Sequence, residues 1–318
     1  MSESYYNRQI VKVAAIINPL SGAGADVHAA ERRVALLTAE LERRHLRADI
    51  HLTEHAGHAH AIARAAGLDR VDLVIVWGGD GTANEAGAAL LGTGTALGLV
   101  PAGSGNGLAA ALGTPFESRA AIAAALDGTV RSIDAGILAG RPFFNIAGIG
   151  VDARIAALFN VRAKGTRGLW PYILIGVREG CRYCGVDYEI ELDGEQWPVR
   201  ALLIAFANGG EYGNGIKLSA AAQLDDGLLD ATIVEDRPVL ARFWHARLLA
   251  SGAADRAPRV IAKQIREAVV RASGPVEYHV DGEPGITESP ISVSIQPRAL
   301  RVRGLWKKAG GVSDAGEP

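Results

Sequence analysis

Cysteine is scarce. The 318 residues hold two, Cys181 and Cys184, in a single Cys-x-x-Cys with no second pair to complete a zinc site and too few thiols for a disulfide framework. Their flanks read as the end of a helix rather than a thioredoxin-type strand–helix junction, so two reduced structural thiols are expected. An excess of charge of one sign is also missing. Lys plus Arg number 33 against 35 Asp plus Glu, a net charge of −2, which speaks against nucleic-acid binding and against a polybasic membrane surface. No apolar run approaches the ~20 residues that span a bilayer. Met1 to Tyr6 shows no basic segment leading into an apolar core, so no signal peptide is read. The expected setting is cytoplasmic, with membrane contact only from the side. Two glycine motifs are absent as well. Without Gly-x-x-x-x-Gly-Lys-Ser/Thr this is not a P-loop protein, and no Gly-x-Gly-x-x-Gly follows the first strand, which argues against a dinucleotide-dependent oxidoreductase.

What the chain has is a glycine turn that carries an acid. Leu73 to Trp77 reads as a strand buried on both faces, Gly78-Gly79-Asp80-Gly81 as a turn, and a helix follows. Thr82 and Glu85 have capping-box spacing, which predicts that the Thr82 hydroxyl and the Glu85 carboxylate close the helix start. Free amides and the helix dipole make such a turn an anion site. A carboxylate there repels a phosphate unless a cation or a transferable proton lies between them, so Asp80 points to chemistry, although Asp also favours tight turns.

The same unit recurs around it. A strand over Lys12 to Ile17 runs into Asn18-Pro19-Leu20-Ser21-Gly22-Ala23-Gly24, and a helix covers Asp26 to His45. A strand over Ala48 to Thr53 precedes a small-residue helix over His58 to Ala66. The strand Thr95 to Val100 runs into Pro101-Ala102-Gly103-Ser104-Gly105-Asn106-Gly107. This alternation predicts an α/β domain over 1–131, a doubly wound parallel sheet with its ligand at the carboxyl ends of the strands. Three glycine loops on one edge suit a polyphosphate. After Arg131 the pattern changes to strands, among them Phe143 to Ile149, the alternating Val186 to Leu192, Ile291 to Ile295 and Ala299 to Val302, with a short helix over Val239 to Ala250. This predicts a second, mainly antiparallel β domain over 132–303, with the cleft between the two. The tail, 304–318, is expected to be loose or to return to the first domain. Asp225-Asp226-Gly227 and Asp281-Gly282-Glu283 read as turns between strands. His51, His55, His58 and His60 have spacings that invite a metal, but strand, loop and helix do not bring them together, so no metal is expected there. Leu169 to Val177 fits an acyl pocket or an ordinary core helix equally well.

Five motifs occur in order: Asn18-Pro19-Leu20-Ser21-Gly22, Gly78 to Glu85, Pro101 to Asn106, Leu224-Asp225-Asp226-Gly227-Leu228-Leu229 and Asp281-Gly282-Glu283. With them the chain resembles, from about residue 12 to 303, the lipid kinases of the diacylglycerol kinase and sphingosine kinase superfamily, close to its soluble bacterial members. Gly-Gly-Asp-Gly-Thr alone is shared with NAD kinases and phosphofructokinases, and the set of five is specific. The resemblance implies ATP-dependent phosphorylation of a lipid hydroxyl, at a cleft between an α/β domain and a β-sandwich domain, with peripheral membrane contact. It implies that ATP is held by Asn18, Pro19, Leu20, Ser21, Gly22, Gly24, Thr53, Gly79, Gly81, Thr82, Asn84, Glu85, Gly103, Ser104, Gly105 and Gly282. It implies a catalytic role for Asp80, which orients or deprotonates the acceptor or organises Mg²⁺, and for Glu283, leaving open which of the two is the base. It also implies that Asp152 contacts the lipid head and that Asp226 with the carbonyls of Gln223 and Leu228 holds a supporting Mg²⁺. Many relatives have Asp where this chain has Gly107, so the network around Mg²⁺ is expected to differ. A NAD kinase is the runner-up, disfavoured by the Gly-Ser-Gly-Asn loop and the Asp-Gly-Glu turn. A nucleotide- or lipid-binding regulator without catalysis is the other alternative, disfavoured by retention of Asp80 and Glu283. The acceptor lipid is not readable, nor is the oligomeric state, a homodimer being one option.

Overall fold

The computed structural model describes residues 12–22, 27–162, 169–213, 216–217, 219, 222–239, 241–242 and 258–306. Strands β1 (Val13–Ile17), β2 (Ala48–Leu52), β3 (Leu73–Gly78) and β4 (Ala96–Pro101) alternate with helices α1 (Val27–Glu42), α2 (His58–Leu68) and α3 (Asp80–Leu90), and α4 (Gly107–Leu112) and α5 (Ser118–Asp127) follow. The strands pair in parallel in the order β2-β1-β3-β4. The uninterrupted apolar runs of β1, β3 and β4 have their cause here, because both faces of each are covered. Ala14, Ile16, Val74 and Val76 face the alanines of α2 and α3, while Val13, Ala15, Ile17, Leu73 and Ile75 face α1 and α5. Edge strand β2 has only partly covered and exposed residues, which matches its polar sequence.

The second part contains β5 (Thr129–Leu138), β6 (Arg141–Phe143), β7 (Ile146–Gly150), α6 (Val151–Arg162), α7 (Leu169–Arg182), β8 (Val186–Leu192), β9 (Glu195–Ala207), β10 (Glu211–Gly213), β11 (Ile216–Lys217) and β12 (Leu229–Glu235). It continues with β13 (Val260–Ile265), β14 (Glu267–Arg271), β15 (Val276–Val280), β16 (Glu283–Thr287) and β17 (Ile291–Gly304). Its pairings are antiparallel, and β9 serves two sets of neighbours: its first half pairs with β8, its second lies between β7 and β12. The alternating inward residues Tyr188, Ile190 and Leu192 of β8 join Ile204 and Phe206, Ile233, Val270 and Val293 in one sandwich core. The architecture is the expected α/β domain followed by an antiparallel sandwich.

Strand β17 links the two parts. Val293 to Gln296 pair with β5 in the sandwich, and Arg301 to Arg303 add in parallel to β4 at Ala96 to Gly98. Two separate strands were expected over Ile291 to Ile295 and Ala299 to Val302. The structure gives one strand with an irregularity between Gln296 and Leu300, where Pro297 removes a donor and Arg298 has φ 51°. The stretch Phe143 to Ile149, expected as one strand, is divided between β6 and β7. The proposed helix over Val239 to Ala250 lies almost wholly outside the described residues, as do Gly24 and 307–318 of the tail. The described backbone shows α7 as a helix, and neither Cys181 nor Cys184 forms a disulfide.

Candidate active site

All three glycine loops emerge at the carboxyl edge of the parallel sheet, and they touch. Asn18 continues β1: its amide donates to the Trp77 carbonyl at 2.9 Å and its side-chain Nδ2 donates to Thr82 Oγ1 at 3.0 Å. Its Oδ1 accepts from the Leu20 amide, so Pro19 and the exposed Leu20 form a tight turn ahead of the buried Ser21. Gly22 has φ +91°, and a Cβ there would meet the Ala102 carbonyl oxygen at 2.6 Å, so only glycine lets the first loop reach the third. Gly79 and Gly103 meet backbone to backbone, and a Cβ on Gly103 would lie 2.7 Å from Gly79 Cα. Asn106 closes the third loop on itself, accepting from the Gly103 amide and donating to the Gly103 carbonyl. Gly105 packs against the Asp80 carboxylate, and Ser104 stands exposed beside it. Thr53 follows β2 on the same edge, its amide donating to the Ile17 carbonyl.

The capping box is a correction. Helix α3 begins at Asp80 with Gly79 as its N-cap and no side-chain cap. Thr82 is therefore already inside the first turn, with its hydroxyl oxygen accepting from Asn18 Nδ2. Glu85 reaches away from the helix start and accepts from the Gly57 amide at 2.8 Å, at the beginning of α2. The first-turn amides of α3 lack a side-chain cap, the condition in which a helix N-terminus takes a phosphate.

Asp80 is placed differently from an ordinary turn aspartate. Its Oδ2 accepts from the Asn106 amide at 2.7 Å, and the amides of Gly107 and Leu108 also point at the carboxylate, so Asp80 caps α4 from across the cleft. Gly107 is the first residue of α4 and one of these donors. Burial nonetheless dominates, the neighbouring Asp281 carboxylate adds to it, and the Asp80 carboxyl is pushed up to about 6 against the pull of those amides. Glu283 comes from the other part of the chain and lies over Gly81: a Cβ on Gly81 would meet Glu283 Oε1 at 2.6 Å. Desolvation also raises the Glu283 carboxyl, with Glu85 adding to the rise and Arg141 opposing it. Two carboxyls tuned upward at a cleft edge are candidates for proton transfer.

The turn that carries Glu283 is anchored by Asp281. One carboxylate oxygen of Asp281 accepts from the amides of Asn145 and Ile146, and the other from the Phe144 amide and Asn84 Nδ2. Asn84 also donates to the Pro142 carbonyl, so α3 is tied to the sandwich. Gly282 has φ +84°, as a two-residue hairpin turn requires. Arg141 donates to the Pro284 carbonyl and lies over the Tyr278 ring. Arg33 holds the first loop by donating to the Asn18 carbonyl, the Ser21 hydroxyl and the Ser21 carbonyl. Reading the sequence missed Arg33, Arg141 and Asp281 as site residues. Only Asp281, inside a quoted motif, had any signal.

Other expected residues do not touch the three glycine loops. Asp152, in the first turn of α6, is buried and bonded to His279. Asp226 is exposed in the loop before β12, and its Oδ1 accepts from the Leu228 amide at 3.0 Å. Partial desolvation, then the nearby Asp230, Asp134 and Asp225 carboxylates, raise the Asp226 carboxyl against the pull of the Leu228 amide. Asp134, fully buried on β5, fixes that loop by accepting from the amides of Gly227 and Arg298. His55 and His58 stack with ring centroids 4.9 Å apart. Among the described residues no three His, Cys, Asp or Glu side chains form a ready metal cage.

The sequence profile of the diacylglycerol kinase catalytic domain matches residues 12–138, and that of the YegS C-terminal NAD kinase beta sandwich-like domain matches 145–304. A diacylglycerol kinase of Mycobacterium tuberculosis (strain ATCC 25618 / H37Rv) is 32% identical over 311 residues, covering 92% of this chain and 95% of that one. A diacylglycerol kinase of Bacillus subtilis (strain 168) is 30% identical, covering 85% and 89%, and a probable lipid kinase YegS-like of Pseudomonas aeruginosa (strain UCBPP-PA14) is 31% identical, covering 80% and 83%. The crystal structure of a putative diacylglycerol kinase from Bacillus anthracis shares the fold, with a TM-score of 0.78 over 97% of this chain and 99% of that chain at 22% identity. The chain therefore belongs to the diacylglycerol kinase family of lipid kinases, phosphotransferases with an alcohol group as acceptor.

Proposed function

We propose that this protein transfers the γ-phosphoryl group of Mg-ATP to a lipid hydroxyl, with diacylglycerol as the first acceptor to test and a sphingoid base as the second. The observation that carries the reading is Glu283, from the other part of the chain, lying over Gly81, the residue next to Asp80, beside three touching glycine loops. The loops from Asn18 to Gly22, Gly79 to Glu85 and Gly103 to Gly105, with Thr53 and Gly282 alongside, receive the nucleotide. Backbone amides and the start of α3 supply the anion contacts. Asp80 orients the acceptor hydroxyl or takes its proton, and Glu283 shares that task. A carboxyl near 6 is ionised at neutral pH and is still a far better base than an ordinary aspartate. Such transfer depends mostly on positioning and charge neutralisation, so few covalent groups are needed. Contact with a membrane from the side is part of this reading, because the acceptor resides there.

The acids crowded around Asp226 fit a supporting Mg²⁺ held by its carboxylate and the carbonyls of Gln223 and Leu228, a donor set that water completes. The metal supplies charge neutralisation when bound. Transfer of labelled phosphate from Mg-ATP to a panel of lipids in mixed micelles, with NAD⁺ as a soluble control, tests the proposal. Label in a lipid is expected. Label in NAD⁺ alone, or ATP binding without transfer to any lipid, overturns it.

A further inference from the structure

Among the described residues, the least explained buried pair lies beside the turn that carries the candidate base. His279 on β15 and Asp152 on α6 are 3% and 7% exposed, and His279 Nε2 is 2.6 Å from Asp152 Oδ2. The chain leaves room for them. A Cβ on Gly148 of the neighbouring strand β7 would meet Asp152 Oδ2 at 2.5 Å and His279 Nε2 at 2.6 Å. The other ring nitrogen, Nδ1, accepts from the Gly282 amide at 3.3 Å, so the ring is the Nε2–H tautomer, donating to Asp152 and accepting from the turn. Helix α6 grips the same turn a second time through Asn160 Nδ2, which donates to the Gly282 carbonyl at 3.3 Å.

We propose that the Asp152–His279 pair is a positioning device for Glu283, clamping the Asp281-Gly282 turn to α6 so that the next side chain lies over Gly81. The kinetic consequence rests on the phosphoryl-transfer reading, whereas the structural consequence does not. Stability is a poor reason for such a pair, since apolar side chains of similar volume stabilise a buried site as well or better. Geometry is a better one. Positive φ angles at Asp281 and Gly282 make this a two-residue turn between cross-strand partners Val280 and Glu283. The Asp281 carboxylate ties it to the 144–146 backbone, and His279 ties down the adjoining amide. With the His279 anchor gone, Gly282 is held to α6 only through its carbonyl and Asn160, the turn can pivot, and a base displaced by about 1 Å can lose about 100-fold in rate.

The test is His279→Leu, with amide hydrogen exchange over 281–285, kcat and KM for ATP measured together. Faster exchange in the turn is expected, with kcat lowered about 10- to 100-fold and KM for ATP unchanged. In a Glu283→Gln background the same change should cost nothing further, because His279 acts through Glu283. Unchanged exchange in His279→Leu overturns the proposal whether or not any lipid is phosphorylated. Rate losses that multiply with those of Glu283→Gln overturn the link to the base. If His279→Leu does not fold, His279→Gln, which keeps a donor towards Asp152 and removes the acceptor at Gly282, decides by the same readouts.

Discussion

Replacing Asp80 by asparagine should make the protein more stable and much less active, and the stability gain should depend on pH. The side chain keeps its shape, and its oxygen still accepts from the amides at the start of α4. What disappears is a carboxylate whose burial raises its pKa from the ordinary aspartate value of 3.8 to about 6 in the folded protein. A raised folded value means that this group favours the native state in full below about pH 4, and that the benefit is lost as the pH rises through 6. A shift of about 2 units at 1.36 kcal/mol each amounts to about 3 kcal/mol of native-state stability forgone by pH 8. Asparagine does not ionise, so Asp80→Asn should exceed the wild type by about 2–3 kcal/mol at pH 8 and by about 0 at pH 4. Turnover should fall by about 100-fold or more, since a positioned acid–base group contributes that much. Denaturant unfolding at the two pH values, beside phosphate transfer at pH 8, reads both quantities. A variant no more stable than wild type at pH 8, or stabilised equally at pH 4, would show that burial does not strain this carboxylate. Wild-type turnover would remove Asp80 from the chemistry.

Two further substitutions separate placement from folding. Gly81→Ala puts a methyl group 2.6 Å from Glu283 Oε1. The flexible acid can swing aside, so the melting temperature should hold while kcat drops about 10-fold or more; an unchanged kcat would show that Glu283 does not act from this position. Asp281→Ala strands three backbone amides and Asn84 Nδ2, which should cost about 3–5 kcal/mol in urea unfolding. A loss below about 1 kcal/mol would mean that water replaces the carboxylate and that the turn is not anchored as drawn.

How much of this could be read from the chain depends on how far each residue's partners lie along it. Strands β1, β3 and β4 were legible because both of their faces are buried and their sequences show it. Strand β5 was not, because Ser132 and Asp134 interrupt its pattern. Asp134 is fully buried, and its partners are the amides of Gly227 and Arg298, 93 and 164 residues away. The polar faces of β13 and β14 hid those strands in the same way. Thr82 and Glu85 have a local spacing that predicts a local bond, and tertiary partners 64 and 28 residues away took both side chains instead. The glycine loops were legible as loops, because close backbone approach leaves glycine in the sequence. What they approach was not. Asp281 explains itself as a turn residue, and nothing nearby announces four donors at separations of 135 to 197 residues.

The relation between the two acids comes down to helix α3. Asp80, Asn84 and Gly87 recur at i, i+4 and i+7, so they share one face. The first bears the candidate acid, and the second donates to Asp281, which fixes the turn carrying Glu283. Gly87 receives the buried Phe144 ring so closely that a Cβ would meet Phe144 Cε2 at 2.6 Å. Phe144 in turn sits in the backbone stretch that the Asp281 carboxylate binds. A rigid helix face thus sets the height of Glu283 above Gly81 from the α/β side, while β17, paired with both β4 and β5, prevents the two parts from sliding along each other. Separating the two parts far enough to part the acids therefore requires breaking α3 away from the sandwich. For this pair, opening the cleft and disarming the site would be the same event.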